Sequence, residues 1–364
     1  MLAILLVLQN GAFGVPDALR ERGVGWTIVA TGEVLSNVDG GLDEGTEAQA
    51  LLDAVLDADL EKLAGWTGAT ARANPMWIEG HGLTRDHVGD LTKISNIDAS
   101  DGLRLFELWL QQAVGCASVR AGLLSTDQEF ALSESSALFV NATFGLPILF
   151  SMNAPFSAYP LGALGVRLRA EPVPGFSAMA AVYEGSPDAE SRNRSGTEVR
   201  LHDDEGLLWI GEAGWKHASG TIKAGGFAHS GDFLDHSSGD VRSGLHGVYA
   251  VVDQTLAAGL AVFVRGGAAP ERAALISRYV EAGAVWTGPI PGRPSDQLGL
   301  AWMRAELSDE IPGARYETVV EATVKIVVLS WLIVQPDVQY VRHPGGFGTI
   351  EDATVVGLRV DVTF

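Results

Sequence analysis

Residues 353–364 read Ala-Thr-Val-Val-Gly-Leu-Arg-Val-Asp-Val-Thr-Phe. Val356, Leu358, Val360, Val362 and Phe364 share one parity, while Gly357, Arg359, Asp361 and Thr363 occupy the other. A period of two places these sets on opposite faces of an extended strand, one apolar and one polar. A soluble edge strand shows the same alternation. The aromatic last residue favours a strand that closes a barrel in lipid.

Working back from this segment, the alternation recurs. Glu317, Glu321 and Lys325 oppose Thr318, Val320, Ala322, Val324 and Ile326. Gln335, Asp337 and Gln339 oppose Val334, Val338 and Tyr340, and Arg167 and Arg169 oppose Val166, Leu168 and Ala170. Glu212 and Lys216 oppose Leu207, Trp209, Ala213 and Trp215, and Arg304 and Glu306 alternate with Met303, Ala305 and Leu307. Polar side chains facing a water-filled interior and apolar ones facing hydrocarbon account for all of these segments together.

Composition agrees. Of 364 residues, 47% are hydrophobic and 19% charged, yet no apolar run approaches the ~20 residues that a membrane helix requires. The longest runs are 2–8 and 326–334. A net charge of −20 argues against nucleic acid as a partner. The single Cys116 excludes an internal disulfide framework. Residues 1–8 resemble the apolar centre of an export signal without its basic start, so 1–14 is read as a signal remnant and 15–364 as one barrel domain.

About sixteen strand segments are expected: 24–35, 47–57, 64–78, 102–112, 117–125, 161–170, 176–185, 206–216, 220–228, 244–254, 259–267, 274–287, 297–307, 315–327, 331–342 and 353–364. Short links at 58–63, 113–116, 171–175, 217–219 and 255–258 alternate with long ones at 36–46, 79–101, 126–160, 186–205 and 229–243. That rhythm is expected of an all-β, antiparallel transmembrane barrel with tight turns at one rim and loops at the other. The rhythm falters at 288–296, which is long where a short turn is expected. Pro336 removes a ladder hydrogen bond, so a bulge or irregular strand end is expected there.

Several ordered segments carry a family resemblance: Gly32-Glu-Val-Leu-Ser-Asn37, Asp59-Leu-Glu-Lys-Leu-Ala-Gly-Trp66, Ser95-Asn-Ile97 and Leu105-Phe-Glu-Leu-Trp-Leu-Gln111. They continue with Asp127-Gln-Glu-Phe130, Leu138-Phe-Val-Asn141, Phe144-Gly145, Tyr159-Pro-Leu-Gly-Ala-Leu-Gly-Val-Arg-Leu-Arg169, Gln335-Pro-Asp-Val-Gln-Tyr340 and His343-Pro-Gly-Gly346. Together these resemble the carbohydrate-selective outer-membrane porins, the OprB family. The resemblance implies a sixteen-stranded porin of the bacterial outer membrane, passive diffusion of small sugars such as glucose, and neither catalysis nor energy input. The family usually has longer loops.

A sugar-selective pore needs hydrogen-bonding groups and an aromatic surface at a narrow point, with binding weak enough to allow release. The link at 126–160 is the expected constriction, because Phe139, Phe144, Leu146, Ile148, Leu149 and Phe150 need cover that the lumen supplies. A cap over the outer rim is the alternative. Lumen-parity groups beside it are Glu107, Gln111, Arg120, Arg167 and Arg169, with Asp127 and Glu129 opening the link and Arg72 and Asn74 extending the row. Planar guanidinium donors facing carboxylate acceptors satisfy both halves of a sugar hydroxyl. Alternatively, Arg120 and Glu107 neutralise each other and pin the loop. Trp109 shares the parity of Glu107 and is expected either to stack a pyranose face or to belong to an interface girdle. Trp26, Trp209 and Trp215 have lipid parity.

No cofactor or metal site is expected. His229, Asp232, Asp235 and His236, and likewise His202-Asp-Asp-Glu205, read as solvated polar residues of long links. Asn141-Ala-Thr143 matches a glycosylation pattern but falls in the constriction link. Expected partners are small sugars, outer-membrane lipid and lipopolysaccharide, and the barrel-assembly machinery through the last strand, with the protein a monomer or homotrimer. The rival readings are a closed-pore barrel enzyme or receptor and a soluble β-sandwich.

Overall fold

The computed structural model describes residues 15–187, 192–198 and 205–364. The signal remnant expected at 1–14 and most of His202-Asp-Asp-Glu205 lie outside the described residues. Sixteen antiparallel strands form one closed barrel in chain order. They are β1 (Val24–Gly41), β2 (Gly45–Asp59), β3 (Ala69–Gly80), β4 (Gly102–Val114), β5 (Ala117–Leu124), β6 (Ala163–Ala170), β7 (Phe176–Glu184) and β8 (Leu207–His217). β9 (Gly220–Leu234), β10 (Val241–Ala257), β11 (Leu260–Ala268), β12 (Ile276–Thr287), β13 (Gln297–Leu307), β14 (Tyr316–Leu329), β15 (Leu332–Arg342) and β16 (Glu351–Thr363) complete it. The last strand closes on the first, with Ala30 opposite Val362 and Val34 opposite Leu358. Closure leaves no unpaired sheet edge in hydrocarbon, where each unsatisfied backbone group is costly.

Two hairpins run further than the sequence pattern shows. β1 and β2 are joined by 42–44 alone, and β9 and β10 by 235–240. Polar side chains reinforce these extensions across the strands: the Ser36 and Thr46 hydroxyls are 2.8 Å apart, and Ser243 Oγ donates to Asp232 at 2.6 Å. Hydroxyl and carboxylate pairs favour extended pairing beyond the apolar band, where alternation of hydropathy gives no signal. The helix Leu60–Ala64 occupies most of the second link and is capped by Asp59, whose side chain accepts from the Glu61 and Lys62 amides. The nine-residue link 288–296 at the tight-turn rim is present as the sequence indicates.

Pro336 causes no bulge. β14 and β15 pair through Thr323–Asp337, resume in the same register at Ile326–Val334, and Thr323 Oγ1 donates to the Pro336 carbonyl at 3.1 Å. On β13 the expected orientation is reversed: Met303, Ala305 and Leu307 are buried inward, and Arg304 and Glu306 face outward. The reason is the loop inside. Where inner-wall residues meet loop rather than water, the interior is apolar and alternation reads backwards.

The link between β5 and β6, residues 125–162, packs against inward-facing side chains of the wall. Phe139 and Phe144 (ring centroids 5.0 Å apart) meet Phe263 of β11, and Phe150 and Phe156, stacked at 4.8 Å, meet Phe227 of β9. Each such pair contributes about 0.5–1.5 kcal/mol beyond its buried area. Facing outward instead are Leu52, Leu56, Trp77, Leu108, Trp209, Trp215, Val338 and Leu358, all exposed. Among the described residues, the large apolar surface thus lies where lipid would cover it.

Candidate pore and its lining

Polar side chains fix the loop at its apolar turns. The Arg265 guanidinium of β11 is fully buried, pairs with Glu281 of β12, and donates to the carbonyls of Ala131 (2.9 Å), Gly145 (3.1 Å), Thr143 (3.1 Å) and Phe144 (2.6 Å). Glu321 of β14 accepts from the amides of Val140 (2.6 Å) and Asn141 (2.9 Å), and Gln335 of β15 donates to the Leu138 carbonyl at 2.8 Å. Glu212 of β8 accepts from Ala131 N at 2.8 Å, and Asp253 of β10 from Ser133 Oγ at 2.7 Å. Glu317 receives the amides of Leu91, Thr92 and Gly345 from two other links. The inner wall from β8 to β15 is therefore spent on holding loops. Asn141 is fully buried among these contacts.

The remaining polar strip runs along β2 to β6 and contains most of the expected lining. Arg72 and Trp109 are cross-strand partners, as are Gln111 and Arg120. Trp109 points inward, with the Arg120 guanidinium 3.8 Å and that of Arg72 5.3 Å from its ring centroid. Gly122, opposite Trp109, has φ +143°, and a Cβ there would stand 2.2 Å from the Leu108 carbonyl oxygen, so glycine is required beside the indole. Only 7% of Trp109 is exposed, so its ring serves the two guanidiniums and offers little face to a pyranose.

Arg120 donates to Gln111 Oε1 at 3.0 Å and pairs with Glu129 of the loop; Arg167 lies 2.8 Å from the same carboxylate and donates to Ser118 and Gln111, each at 2.9 Å. The charge partner of Arg120 is thus Glu129 rather than Glu107. Glu107 is buried and accepts from Ser125 N at 3.3 Å, with Trp109 Nε1 at 3.5 Å. Asp127 accepts from Ser125 Oγ and from Tyr159 N at 2.9 Å, bracing the two ends of the loop, and burial pushes its carboxyl above the usual range. Arg169 stands apart and pairs with Glu171 on the next short link. Beside the indole, Arg72 is 32% exposed, its partner Asp57 48% (Oδ1 2.8 Å from Nε) and Arg120 17%, while Arg169 further along is 42% exposed.

Asp57, together with Asp53, which accepts from Asn74, completes the strip and was not singled out from sequence. The signal was present, since both have inward parity on β2 opposite the exposed Leu52 and Leu56. Among the described residues no group of three metal-ligating side chains occurs.

A closed sixteen-stranded barrel with an apolar exterior, a charged inner strip and a long loop packed on its inner wall defines the class: a porin. The profile described as "Carbohydrate-selective porin, OprB family" matches residues 44–364. Porin B of Pseudomonas aeruginosa is 24% identical over 96% of this chain and 90% of its own length, and the putative porin QuiX of Acinetobacter baylyi is 22% identical over 96% and 91%. The high-pH structure of Pseudomonas putida OprB superposes with a TM-score of 0.89 at 20% identity, covering 96% of each chain. Its low-pH structure gives 0.66 at 18% identity, covering 98% of each. The chain belongs to the OprB family of carbohydrate-selective porins. It is an outer-membrane channel for passive diffusion of small carbohydrates.

Proposed function

We propose that selectivity resides in the strip around Trp109, where Arg72, Arg120 and Asp57 present hydrogen-bonding groups to a passing sugar. The observation that carries this reading is the pair of guanidiniums held over one inward indole while each keeps part of its surface open, 32% for Arg72 and 17% for Arg120. Asp57 adds an acceptor beside them, so one hydroxyl can donate and accept at the same station. Glu129, Arg167 and Glu107 are buried and Asp127 is half-buried, and together they set the position of the loop against this strip. Arg169 and Glu171 lie further along the path toward the tight-turn rim.

The mode of action is passage without catalysis. The buried carboxylates that most resemble an acid–base pair, Glu317 and Glu321, are engaged by loop amides. The exposed apolar band is read as contacting outer-membrane lipid, and β16 as the segment recognised by the barrel-assembly machinery. Each chain closes its own barrel, so a monomer suffices for one pore and a homotrimer carries three.

Planar-bilayer recordings test the site. Glucose is expected to block the current of the native channel, and Arg120→Ala or Arg72→Ala to weaken that block about tenfold, the value of one charge-assisted hydrogen bond. Glu107→Ala is expected to weaken it too, through loss of the Ser125 contact. Unchanged block in Arg120→Ala and Arg72→Ala would move the station elsewhere.

A further inference from the structure

Arg278, Arg304 and Arg342 stand on the lipid-facing side of the wall, at the long-loop rim of β12, β13 and β15. The registers bring them together: Arg278 is opposite Glu306, Glu306 opposite Tyr316, Arg304 opposite Thr318 and Thr318 opposite Arg342. The Arg304 guanidinium lies 3.7 Å and that of Arg342 5.9 Å from the Tyr316 ring centroid. A cavity of about 320 Å³ opens here, its charged lining made of Arg278, Arg304 and Arg315 beside Tyr316, with Glu271, Glu306 and Asp309.

In a chain with 45 acidic and 25 basic residues, four arginines gather on one outward patch, interleaved with Glu271, Glu306, Asp309 and Asp352. Their internal neutralisation is partial. Glu306 is shared between Arg278 (3.9 Å) and Arg304 (3.3 Å), Glu271 lies 3.2 Å from Arg278, and Arg315 and Arg342 make no ion pair among the described residues. Directly below on the same outward parity come Trp302, Leu300 and Val338, all exposed. A strand rises about 3.4 Å per residue, which puts Arg304 roughly 7 Å beyond Trp302 along the strand. Cations set just above an exposed Trp and aliphatic column suit headgroup depth, where amphipathic aromatic rings mark the interface. These cations face away from the lumen, and a passing sugar does not meet them.

We propose that this patch binds the phosphorylated headgroup of an outer-leaflet glycolipid. Guanidinium forks match phosphate oxygens in pairs, the Tyr316 ring holds two of them in place, and the apolar column below receives acyl chains. A free anion would use the arginines and not the column, which is why a lipid fits better than inorganic phosphate. The proposal is independent of the sugar station.

The test uses the full-length protein in detergent, with binding followed by native mass spectrometry. The probes are diphosphoryl lipid A, the same lipid without phosphates, and millimolar inorganic phosphate as competitor. The native protein is expected to retain the diphosphoryl lipid, to discriminate against the dephosphorylated one, and to resist displacement by phosphate. The triple variant Arg278→Gln, Arg304→Gln, Arg342→Gln is expected to bind about tenfold more weakly, with unchanged channel conductance reporting an intact barrel. Should the triple variant fail to fold, the exposed single variant Arg342→Gln carries the same comparison. Equal binding by native protein and variant, equal binding of both lipids, or displacement by inorganic phosphate would each overturn the proposal. So would a change in oligomeric mass with lipid binding intact, which would make the patch a subunit contact.

Discussion

Arg120 makes three contacts at once: it donates to Gln111 on β4, covers the Trp109 ring on the same strand and pairs with Glu129 of the loop. One side chain thus couples the station to the loop that narrows it, so its loss is expected to alter both sugar block and ion conductance. A second residue-scale prediction concerns Asp90, on the link between β3 and β4. Burial raises its carboxyl from 3.8 to about 6, against the opposing effect of hydroxyl groups from Thr84 and Thr92. Between these limits the native protein holds a proton that the unfolded chain has released. Stability therefore falls as pH rises through that window and is greater on its acid side. Asp90→Asn is expected to melt higher than the native protein at neutral pH and to lose this part of the pH dependence. Melting curves in detergent on either side of the window check it. An unchanged slope would mean that Asp90 titrates as an exposed carboxylate does.

The loop 125–162 is the element whose placement decides pore size. Its apolar residues are covered by Phe227, Phe263 and Tyr249 of the wall, while Arg265 satisfies four of its carbonyls. Arg265→Ala leaves Glu281 and those carbonyls without their donor. Breaking a buried charge pair from one side costs about 3–5 kcal/mol. The variant is expected to release this part of the loop, with larger single-channel conductance and a lower melting temperature; native conductance would contradict the assigned role. This element was partly legible in the sequence. The cluster Phe139, Phe144, Ile148, Leu149 and Phe150 announced a segment needing cover, but its receptors did not announce themselves. Tyr249, Phe263 and Met303 face inward with the parity that lipid-facing residues have elsewhere, because loop and lipid make the same demand on a side chain. Arg304 and Glu306 were misplaced for that reason.

At the scale of the whole molecule, all sixteen strands could be read from parity and turn spacing, since lipid outside and water or polar anchors inside repeat one constraint in each hairpin. Strand ends beyond the apolar band were less legible, as at 36–41 and 229–234, where Ser36, Thr46 and Asp232 pair through hydroxyls and carboxylates instead. The pairings of the station, Arg72 with Asp57 and Arg120 with Glu129, depend on cross-strand register and loop return, which single-strand patterns do not contain. As a whole, the barrel is expected to pass sugars in preference to other solutes of their size. Swelling of proteoliposomes in isotonic glucose, compared with an uncharged amino acid of similar size, measures that preference directly. Faster swelling in glucose is predicted; equal rates for the two solutes would contradict it.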